Sequence, residues 1–424
     1  MEKLYSVKTK HRIINNDFKL DHESYRNFKH EYEPSNICEM PIKWHKAKDF
    51  YIFDDKGNKW IDMTSGIFVT NAGHSNKYIN KAIKDQVDSD LTFAYQYNTD
   101  IRYKFVQKLL EISPNHFNKA VLLNSGSEAT DAAYRLIKLW AKKNNKKYII
   151  SFTGSYHGRV LGSDLMCKDA KSTDWSNVTD DDIIFLEFPL DGQELDTTDL
   201  PPLNEIAAFF LETYQGWGAC FYPQKYIDKL YRLSRDNNIL FCFDEVQAGF
   251  YRMGTLYGYM TYGDYKPDIV CLGKGLTSSL PLSAVLATRD IIDLDPAANL
   301  SSTHAGNAVC CAAGIANLEF LTDENFQKDF QKRVCLFEKL NKELLDEDGI
   351  EAVNVRGMVS AILAKDGDMG NYVAETCAIN GVLTVWTKRE SIKLGPPLTI
   401  SESAIIESMG VIKNAIKSYN DIKH

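Results

Sequence analysis

Lys274 follows a short apolar run and stands between two glycines, and this feature constrains the fold and chemistry of the chain more than any other. Residues 269–272 are all apolar, which predicts a buried strand of a parallel sheet. Gly273 and Gly275 predict a tight turn at the carboxyl end of that strand. A lysine there is partly removed from water, so its pKa falls and its neutral amine can form a Schiff base. A lysine in an exposed surface turn is the alternative.

A second strand end favours the buried lysine. Residues 239–243 are apolar and run directly into Asp244 and Glu245. Because ligands of open α/β sheets bind outside the carboxyl ends of the strands, Asp244 and Lys274 are expected to face one pocket. Pyridoxal phosphate needs such a pair, with a lysine at its aldehyde carbon and a carboxylate at its pyridine nitrogen. The two acids could instead hold Mg²⁺, but the sequence lacks the Gly-x-x-x-x-Gly-Lys-Ser/Thr loop of nucleotide hydrolases.

A third segment can bind the phosphate of such a cofactor. Asn124-Ser125-Gly126-Ser127-Glu128-Ala129 follows the apolar residues 120–123 and opens a helical pattern. Its small residues allow backbone N–H groups at the helix N-terminus to approach a phosphate, and the helix dipole favours the negative charge. Ser125 and Glu128 also have the spacing of an ordinary capping box, and both functions are compatible.

The chain resembles a class III aminotransferase, a fold-type I pyridoxal-phosphate enzyme, over nearly its whole length. The motifs that carry this resemblance are, in chain order, Asn124-Ser125-Gly126-Ser127-Glu128-Ala129, Tyr156-His157-Gly158-Arg159, Glu212-Thr213-Tyr214-Gln215-Gly216, Asp244-Glu245-Val246-Gln247, Gly273-Lys274-Gly275, Thr303-His304-Ala305-Gly306-Asn307 and Pro396-Pro397-Leu398. The order of the motifs is highly specific, although each one is weak alone.

An α/β fold follows from the resemblance and from the alternation of apolar strands with helical patterns. We expect a mostly parallel central sheet with helices on both faces, together with a smaller α+β domain built from the two chain ends. The expected boundaries are 1–74 for the N-terminal segment, 75–315 for the large domain that binds pyridoxal phosphate and 316–424 for the C-terminal small domain.

The resemblance also implies which residues hold the cofactor. The matching positions are Gly126 and Ser127 at the phosphate, Thr303 at the phosphate of the neighbouring subunit, Tyr156 and Val246 on the two ring faces, Asp244 at the ring nitrogen, Gln247 near the phenolic oxygen, and Lys274 in the Schiff base. Lys274 and Asp244 are the expected catalytic residues, because Lys274 also moves the proton. Shared phosphate contacts imply a homodimer with shared active sites.

The substrate positions depart from the usual pattern of the family. Many members carry a glutamate where this chain has Trp217 and an arginine where it has Lys393. In those relatives the two form a switchable salt bridge that frees the arginine for an α-carboxylate. Lysine does not reproduce a bidentate carboxylate clamp, so the usual dual-substrate arrangement is not expected. Arg159 is then the expected anion anchor, and Phe68 lies either at the substrate entrance or in the core.

Composition excludes several other classes of function. A net charge of −8 and a pI near 5.7 argue against nucleic acid and anionic membranes as partners. No apolar stretch reaches the roughly 18 residues of a membrane span, the first residues lack a signal-peptide core, and no metal site is predicted. The cysteines show no CxxC spacing and indicate small core residues of a cytoplasmic protein. They are Cys38, Cys167, Cys220, Cys242, Cys271, Cys310, Cys311, Cys335 and Cys377.

The predicted activity is amino transfer that depends on pyridoxal phosphate. The expected substrates are small molecules: a primary amine, ω- or otherwise non-α, and an oxo acid or aldehyde. A pyridoxal-phosphate lyase that eliminates from a small anionic amine, of the aminoalkyl phosphate or phosphonate type, stays open as an alternative. A non-catalytic protein with the same fold is the third hypothesis, but it would not need both Lys274 and Asp244.

Overall fold

The computed structural model describes residues 6–32, 40–168 and 175–423, so that Cys38 lies outside the described residues. The chain forms two compact units. The larger unit is Lys77–Thr322, and the smaller unit combines Met1–Asn76 with Asp323–His424. In the described part of the chain, the helices are all too short or too polar to cross a membrane.

The strands and helices are given in chain order. The strands are β1 (Val7–Lys8), β2 (Ile13–Ile14), β3 (Lys46–Lys48), β4 (Tyr51–Phe53), β5 (Lys59–Asp62), β6 (Lys119–Leu123), β7 (Tyr148–Phe152), β8 (Ile183–Leu186), β9 (Ile206–Glu212), β10 (Leu240–Asp244), β11 (Ile269–Leu272), β12 (Ser283–Ala287), β13 (Ile350–Arg356), β14 (Val359–Ala364), β15 (Val382–Leu383), β16 (Val385–Trp386) and β17 (Ser391–Leu394). The helices are α1 (His22–Tyr32), α2 (Ser65–Phe68), α3 (Lys77–Asp88), α4 (Asp100–Ile112), α5 (Gly126–Lys143), α6 (Leu161–Leu165), α7 (Gln224–Asp236), α8 (Arg289–Ile292), α9 (Ala308–Thr322), α10 (Glu324–Lys342), α11 (Gly367–Ile379) and α12 (Glu402–Lys423).

One sheet organises the larger unit, with the strand order β6-β12-β11-β10-β9-β7-β8. The neighbouring pairs from β11 to β8 are parallel, whereas β12 is antiparallel to both of its neighbours. β9 and β10 are buried along their whole length, as expected for continuous apolar strands with both faces covered. The predicted α/β architecture with a mostly parallel sheet is confirmed.

Helix α5 packs one apolar face in the core of the larger unit, and its first turn lies at the edge of the sheet. Ala129, Ala133, Leu136 and Ile137 recur at helical spacing, and all four are buried in the main apolar cluster. Burying a side chain of the size of leucine or isoleucine contributes about 1.5–3 kcal/mol, so this face fixes the helix on the sheet. The helix begins with the predicted capping box, in which Glu128 N donates to Ser125 Oγ and the Glu128 carboxylate accepts backbone N–H groups in return.

The smaller unit contains two further sheets. One has the order β1-β2-β5-β4-β3 with β15 beside β5, and the other has the order β13-β14-β17-β16. After β5 the backbone makes a left-handed turn, with positive φ values at Ser65, Gly66, Ile67 and Phe68. Non-glycine residues adopt this conformation only at a cost of roughly 1–2 kcal/mol each, so the turn is a strained segment. Ser65 Oγ donates to Gly395 O at 2.5 Å and holds the turn in place.

Candidate functional site

Three polar residues meet where neighbouring parallel strands of the larger unit end. Glu212 is the last residue of β9 and Asp244 the last residue of β10, and the two are direct partners in the strand register. Lys274 comes two residues after the end of β11, the next strand along. The carboxyl ends of parallel strands lie at one edge of a sheet, and this edge is where α/β folds bind ligands.

Asp244 is held by a buried histidine. His157 Nδ1 donates to Asp244 Oδ2 at 2.9 Å, and Val246 N donates to Oδ1 at 3.0 Å. The imidazole is fully buried and lies edge-on against Phe210, and its Nε2 atom has no hydrogen-bond partner in the part of the chain that the structure describes. Both carboxylate oxygens of Asp244 therefore have a fixed direction. No role for His157 was predicted, because a single sequence does not show which side chain meets the strand end.

Lys274 has the properties of a reactive amine. Burial lowers the pKa of its amine from the usual value, and the carboxylates of Asp244 and Glu212 offset part of this shift. Its backbone has a φ of 39°, in the left-handed region that disfavours a lysine. Strain of this kind is concentrated at functional sites, where the surrounding structure enforces it. The amine therefore has a larger neutral fraction than an exposed lysine.

The N-terminus of α5 lies directly beside these strand ends. A Cβ atom on Gly126 would be 2.6 Å from Val246 Cγ1, so only glycine allows Val246 to pack against the first helical turn. A Cβ atom on Gly273 would be 3.5 Å from Gly126 Cα. The turn before Lys274 therefore lies against the N-terminus of α5. The first N–H groups of a helix have no partner within it and attract anions.

The loop with Tyr156 is attached to this helix. Gly158 has a φ of 136°, and a Cβ atom there would be 2.3 Å from Ser127 Oγ, so the loop approaches the helix as only glycine permits. Arg159 N donates to Ser127 Oγ at 3.2 Å. The Arg159 guanidinium lies 4.8 Å from the centre of the Tyr156 ring and 3.5 Å from Asp164 Oδ1. Arg159 is thus oriented by its own loop and by α6.

Glu212 is a second residue for which no role was predicted. Its side chain is buried, Oε2 accepts from Tyr156 N at 3.0 Å, and Oε1 accepts from Gly216 N at 3.3 Å. Burial raises the pKa of this carboxyl to about 7, and the charge of Asp244 contributes to the rise. A signal was present in the sequence, because the apolar residues 206–211 end in an acid in the same way as the strand before Asp244.

Trp217 is fixed by a short hydrogen-bond chain. Its Nε1–H donates to Gln215 Oε1 at 3.1 Å, and Gln215 Nε2 donates to Thr153 O at 2.7 Å. Both ends of the Gln215 amide are therefore used, which defines the orientation of the indole. Nearby, the Gln247 Oε1 atom is buried without a hydrogen-bond partner among the described residues, and it would lie 3.1 Å from a Cβ atom on Gly216.

The remaining predicted site residues are Thr303, Phe68 and Lys393. Thr303 is exposed in the larger unit, and its neighbour Ser302 accepts from Asn124 Nδ2 at 2.7 Å and donates to Glu128 Oε1 at 3.3 Å. Phe68 and Lys393 belong to the smaller unit, where the Lys393 ammonium lies 5.1 Å from the centre of the Phe68 ring. Both side chains are buried. The position of Phe68 is therefore equally consistent with core packing and with a substrate contact.

The residues at the sheet edge suit pyridoxal phosphate. Gly126 allows Val246 to pack against the first turn of α5, and the N–H groups of such a turn can bind a phosphate. Asp244 supplies an oriented carboxylate and Lys274 supplies a desolvated amine, and Gln247 Oε1 is a buried acceptor to which no other described residue donates. In the described part of the chain, His, Cys, Asp and Glu side chains form no cluster that could hold a metal ion.

The chain is similar to several known proteins over most of its length. Ornithine aminotransferase 2 of Staphylococcus aureus is 27% identical over 393 residues, which cover 91% of this chain and 97% of that protein. The ornithine aminotransferase of Toxoplasma gondii superposes with a TM-score of 0.85 at 24% identity, covering 94% of this chain and 95% of that chain. The ornithine delta-aminotransferase of Plasmodium falciparum has a TM-score of 0.79 at 25% identity, with 94% and 98% covered.

The family described as aminotransferase class-III matches residues 32–416, which is most of the chain. Its fold is that of the fold-type I transaminases, and its cofactor is pyridoxal 5′-phosphate. With the desolvated lysine, the oriented carboxylate and the open helix N-terminus at one sheet edge, this match shows that the chain belongs to the class III aminotransferases, enzymes that depend on pyridoxal phosphate.

Proposed function

We propose that the protein transfers the amino group of a terminal primary amine, on a carbon without a carboxylate, to an oxo acid. The observation that carries this proposal is the position of Lys274, whose amine is desolvated, at the same edge of the sheet as the strand ends of Asp244 and Glu212. The similarity to proteins named ornithine aminotransferases supports the terminal amine, since ornithine carries one, and one of them is named a delta-aminotransferase.

Each residue at the sheet edge has a distinct task in this proposal. The N-terminus of α5, with Gly126 and Ser127, binds the phosphate, and Asp244 binds the pyridine nitrogen with His157 fixing its direction. Val246 and Tyr156 would hold the two faces of the ring, and Gln247 Oε1, which has no hydrogen-bond partner among the described residues, would serve the phenolic oxygen. Lys274 Nζ attaches the cofactor and then carries the proton to and from the reacting carbon.

The cofactor supplies the chemistry that side chains lack. When bound, pyridoxal phosphate provides an aldehyde that takes up the amino group and a protonated ring that withdraws electrons from the adjacent carbon. The protein orients the ring, keeps a carboxylate at its nitrogen and places a base at the carbon. Such oriented charges cost little reorganisation during the reaction, which is why they contribute strongly to the rate.

The substrate side is proposed to be apolar next to the reacting amine. Trp217, held by Gln215, takes the place of an acidic side chain and forms a flat wall. Arg159 is the proposed anion anchor, although Asp164 and the Tyr156 ring already contact it, so a substrate anion would compete with Asp164. Lys393 and Phe68 remain proposed substrate residues, and they lie together in the smaller unit.

A half-reaction experiment tests the proposed function. The purified protein with bound cofactor is mixed with single amines, without an acceptor, while the cofactor absorbance is followed. We expect terminal amines to convert the chromophore to the amine form and an added oxo acid to restore it. Turnover of an aminoalkyl phosphate without any oxo acid would instead support the lyase, and α-amino acids reacting as fast as terminal amines would contradict the proposed substrate class.

The proposed assembly is a homodimer with shared active sites. Thr303 is exposed on the single chain, while Ser302 next to it is tied to Asn124 and Glu128 at the start of α5. An anchored loop with an outward hydroxyl can reach the phosphate of a partner subunit. The proposed location is the cytoplasm, which the free cysteines of the described chain support, because disulfides are rare there.

Subunit mixing tests the shared site. The Lys274→Ala protein and the Thr303→Ala protein are each expected to have little activity when assayed alone. In a mixed dimer, the Lys274 of one subunit and the Thr303 of the other restore one native site of the two. Random pairing therefore predicts about a quarter of the wild-type activity after subunit exchange. No gain on mixing, or a fully active monomer by light scattering at assay concentration, contradicts the shared site.

A further inference from the structure

Glu212 is a buried carboxylate at the centre of the site to which the reaction itself assigns no task. It is 6% exposed, and the groups that hydrogen-bond to it among the described residues are backbone N–H groups rather than cationic side chains. A buried carboxylate is costly unless its oxygens are hydrogen-bonded. Both oxygens of Glu212 accept hydrogen bonds from backbone N–H groups, so the carboxylate acts as a hydrogen-bond acceptor in this site.

The two backbone groups belong to two different loops. Oε2 accepts from Tyr156 N at 3.0 Å, at the start of the loop that carries the ring-stacking tyrosine. Oε1 accepts from Gly216 N at 3.3 Å, directly before Trp217. One side chain therefore ties the loop on the cofactor side and the loop on the substrate side to the same strand end.

The charge of Glu212 also acts on the reactive amine. Asp244 and Glu212 are the carboxylates whose charges raise the pKa of Lys274 against the effect of burial. The ionisable groups that surround Glu212 come from each neighbouring element: His157 and Cys167 after β7, Tyr214 and Tyr222 after β9, Asp244 on β10 and Lys274 after β11. Because the pKa of Glu212 is raised to about 7, its charge is present above neutral pH and lost below it.

We propose that Glu212 is a positioning residue that holds the Tyr156 loop and the Trp217 loop at a fixed separation beside the strand end that carries Lys274. This inference rests on the proposed function, since it assumes that the cofactor is attached at Lys274. Ionised Glu212 keeps both loops in place and favours the protonated form of the amine. Protonated Glu212 is a weaker acceptor, so both loops loosen and the amine loses a stabilising negative charge.

Two substitutions separate the positioning effect from the charge effect. Glu212→Gln removes the charge and turns one acceptor into a donor, which leaves one backbone N–H group facing an amide N–H group. Glu212→Asp keeps the charge but is one methylene shorter, so it cannot hold both N–H groups at their present positions. Glu245→Gln is the matched control, because Glu245 is equally buried with a pKa of about 7, but its oxygens accept from Thr213, Gly258 and Tyr259.

The first measurement is a pH titration of cofactor absorbance in the substrate-free holoenzyme. Removing a nearby negative charge lowers the pKa of an amine, so we expect Glu212→Gln to shift the midpoint down by about one pH unit. Glu212→Asp is expected to keep the midpoint close to that of the wild type. Glu245→Gln is expected to lower the melting temperature but to leave the midpoint unchanged, since Glu245 is not among the charges that act on Lys274.

The second measurement separates KM from kcat for a terminal amine. Both Glu212 variants are expected to raise KM by about tenfold or more, the effect of losing one hydrogen bond to a charged group. An unchanged midpoint and KM in Glu212→Gln, in a protein that binds cofactor, overturns the inference. If Glu212→Gln does not fold, a wild-type KM in Glu212→Asp overturns the inference. A wild-type protein without lysine-bound cofactor would instead refute the proposed function.

Discussion

Lys274→Ala is expected to abolish covalent cofactor attachment and to lower turnover by at least about a thousandfold, the upper part of the range for losing a general base. The physical reason is that Lys274 has two tasks, nucleophile and base, and alanine can perform neither. The surrounding residues would still bind the cofactor, because the helix N-terminus and Asp244 do not depend on the lysine side chain. The variant is therefore expected to fold and to retain the cofactor noncovalently.

Borohydride reduction followed by peptide mapping measures the attachment directly. In the wild type we expect the label on the peptide that contains Lys274, and in Lys274→Ala we expect no label. Lys146→Met is a suitable control, because burial also lowers the pKa of Lys146, but its amine donates to Ile206 O and Asn237 O. Label on Lys146 or on any other lysine would contradict the assignment.

The lysine and the first carboxylate were predictable because each follows a continuous apolar strand. Residues 239–243 and 269–272 predicted two strand ends, and the rule that ligands bind at such ends placed Asp244 and Lys274 in one pocket. The structure has both at the ends of neighbouring strands, β10 and β11. This inference needs only the order of residues along each strand, and for that reason it could be made from one sequence.

The contacts between the supporting residues were not predictable, because they depend on which strands are neighbours. Glu212 meets Asp244 only because β9 pairs with β10, and His157 meets it only because the chain after β7 returns over the same edge. The antiparallel direction of β12 could not be predicted either, since an apolar run has the same pattern in both directions. The Gln215–Trp217 contact arises from a loop conformation that no periodicity encodes.

The substrate residues are the least determined by the sequence. Arg159 was predicted as an anion anchor from a motif position, but the structure has its guanidinium against Asp164 and the Tyr156 ring. These contacts consist of a partly exposed ion pair and a cation–π contact, each worth about 1 kcal/mol or less. A substrate anion would have to displace Asp164, whose side chain is 1% exposed and would lose the Arg159 charge, so the role of Arg159 stays a prediction.

Asp244→Asn is expected to lower kcat by roughly 10²–10³, while the cofactor stays bound. The amide can keep the present contacts, because its oxygen still accepts from Val246 N and its NH₂ group can donate to the other tautomer of His157. The fold is therefore preserved and the charge alone is lost. A neutral amide cannot hold the pyridine nitrogen protonated, so the ring withdraws fewer electrons from the reacting carbon.

The measurement compares single-turnover rates of the half-reaction with cofactor affinity in the same protein. We expect the single-turnover rate to fall by roughly 10²–10³. The dissociation constant of the cofactor is expected to change much less, because the helix N-terminus and Lys274 remain. His157→Phe is the informative companion: it leaves the Asp244 charge but removes the donor that orients it, so an intermediate loss is expected. Near-normal turnover in Asp244→Asn would mean that this carboxylate does not face the pyridine nitrogen. In that event Glu212, its partner in the strand register, becomes the acid to test next.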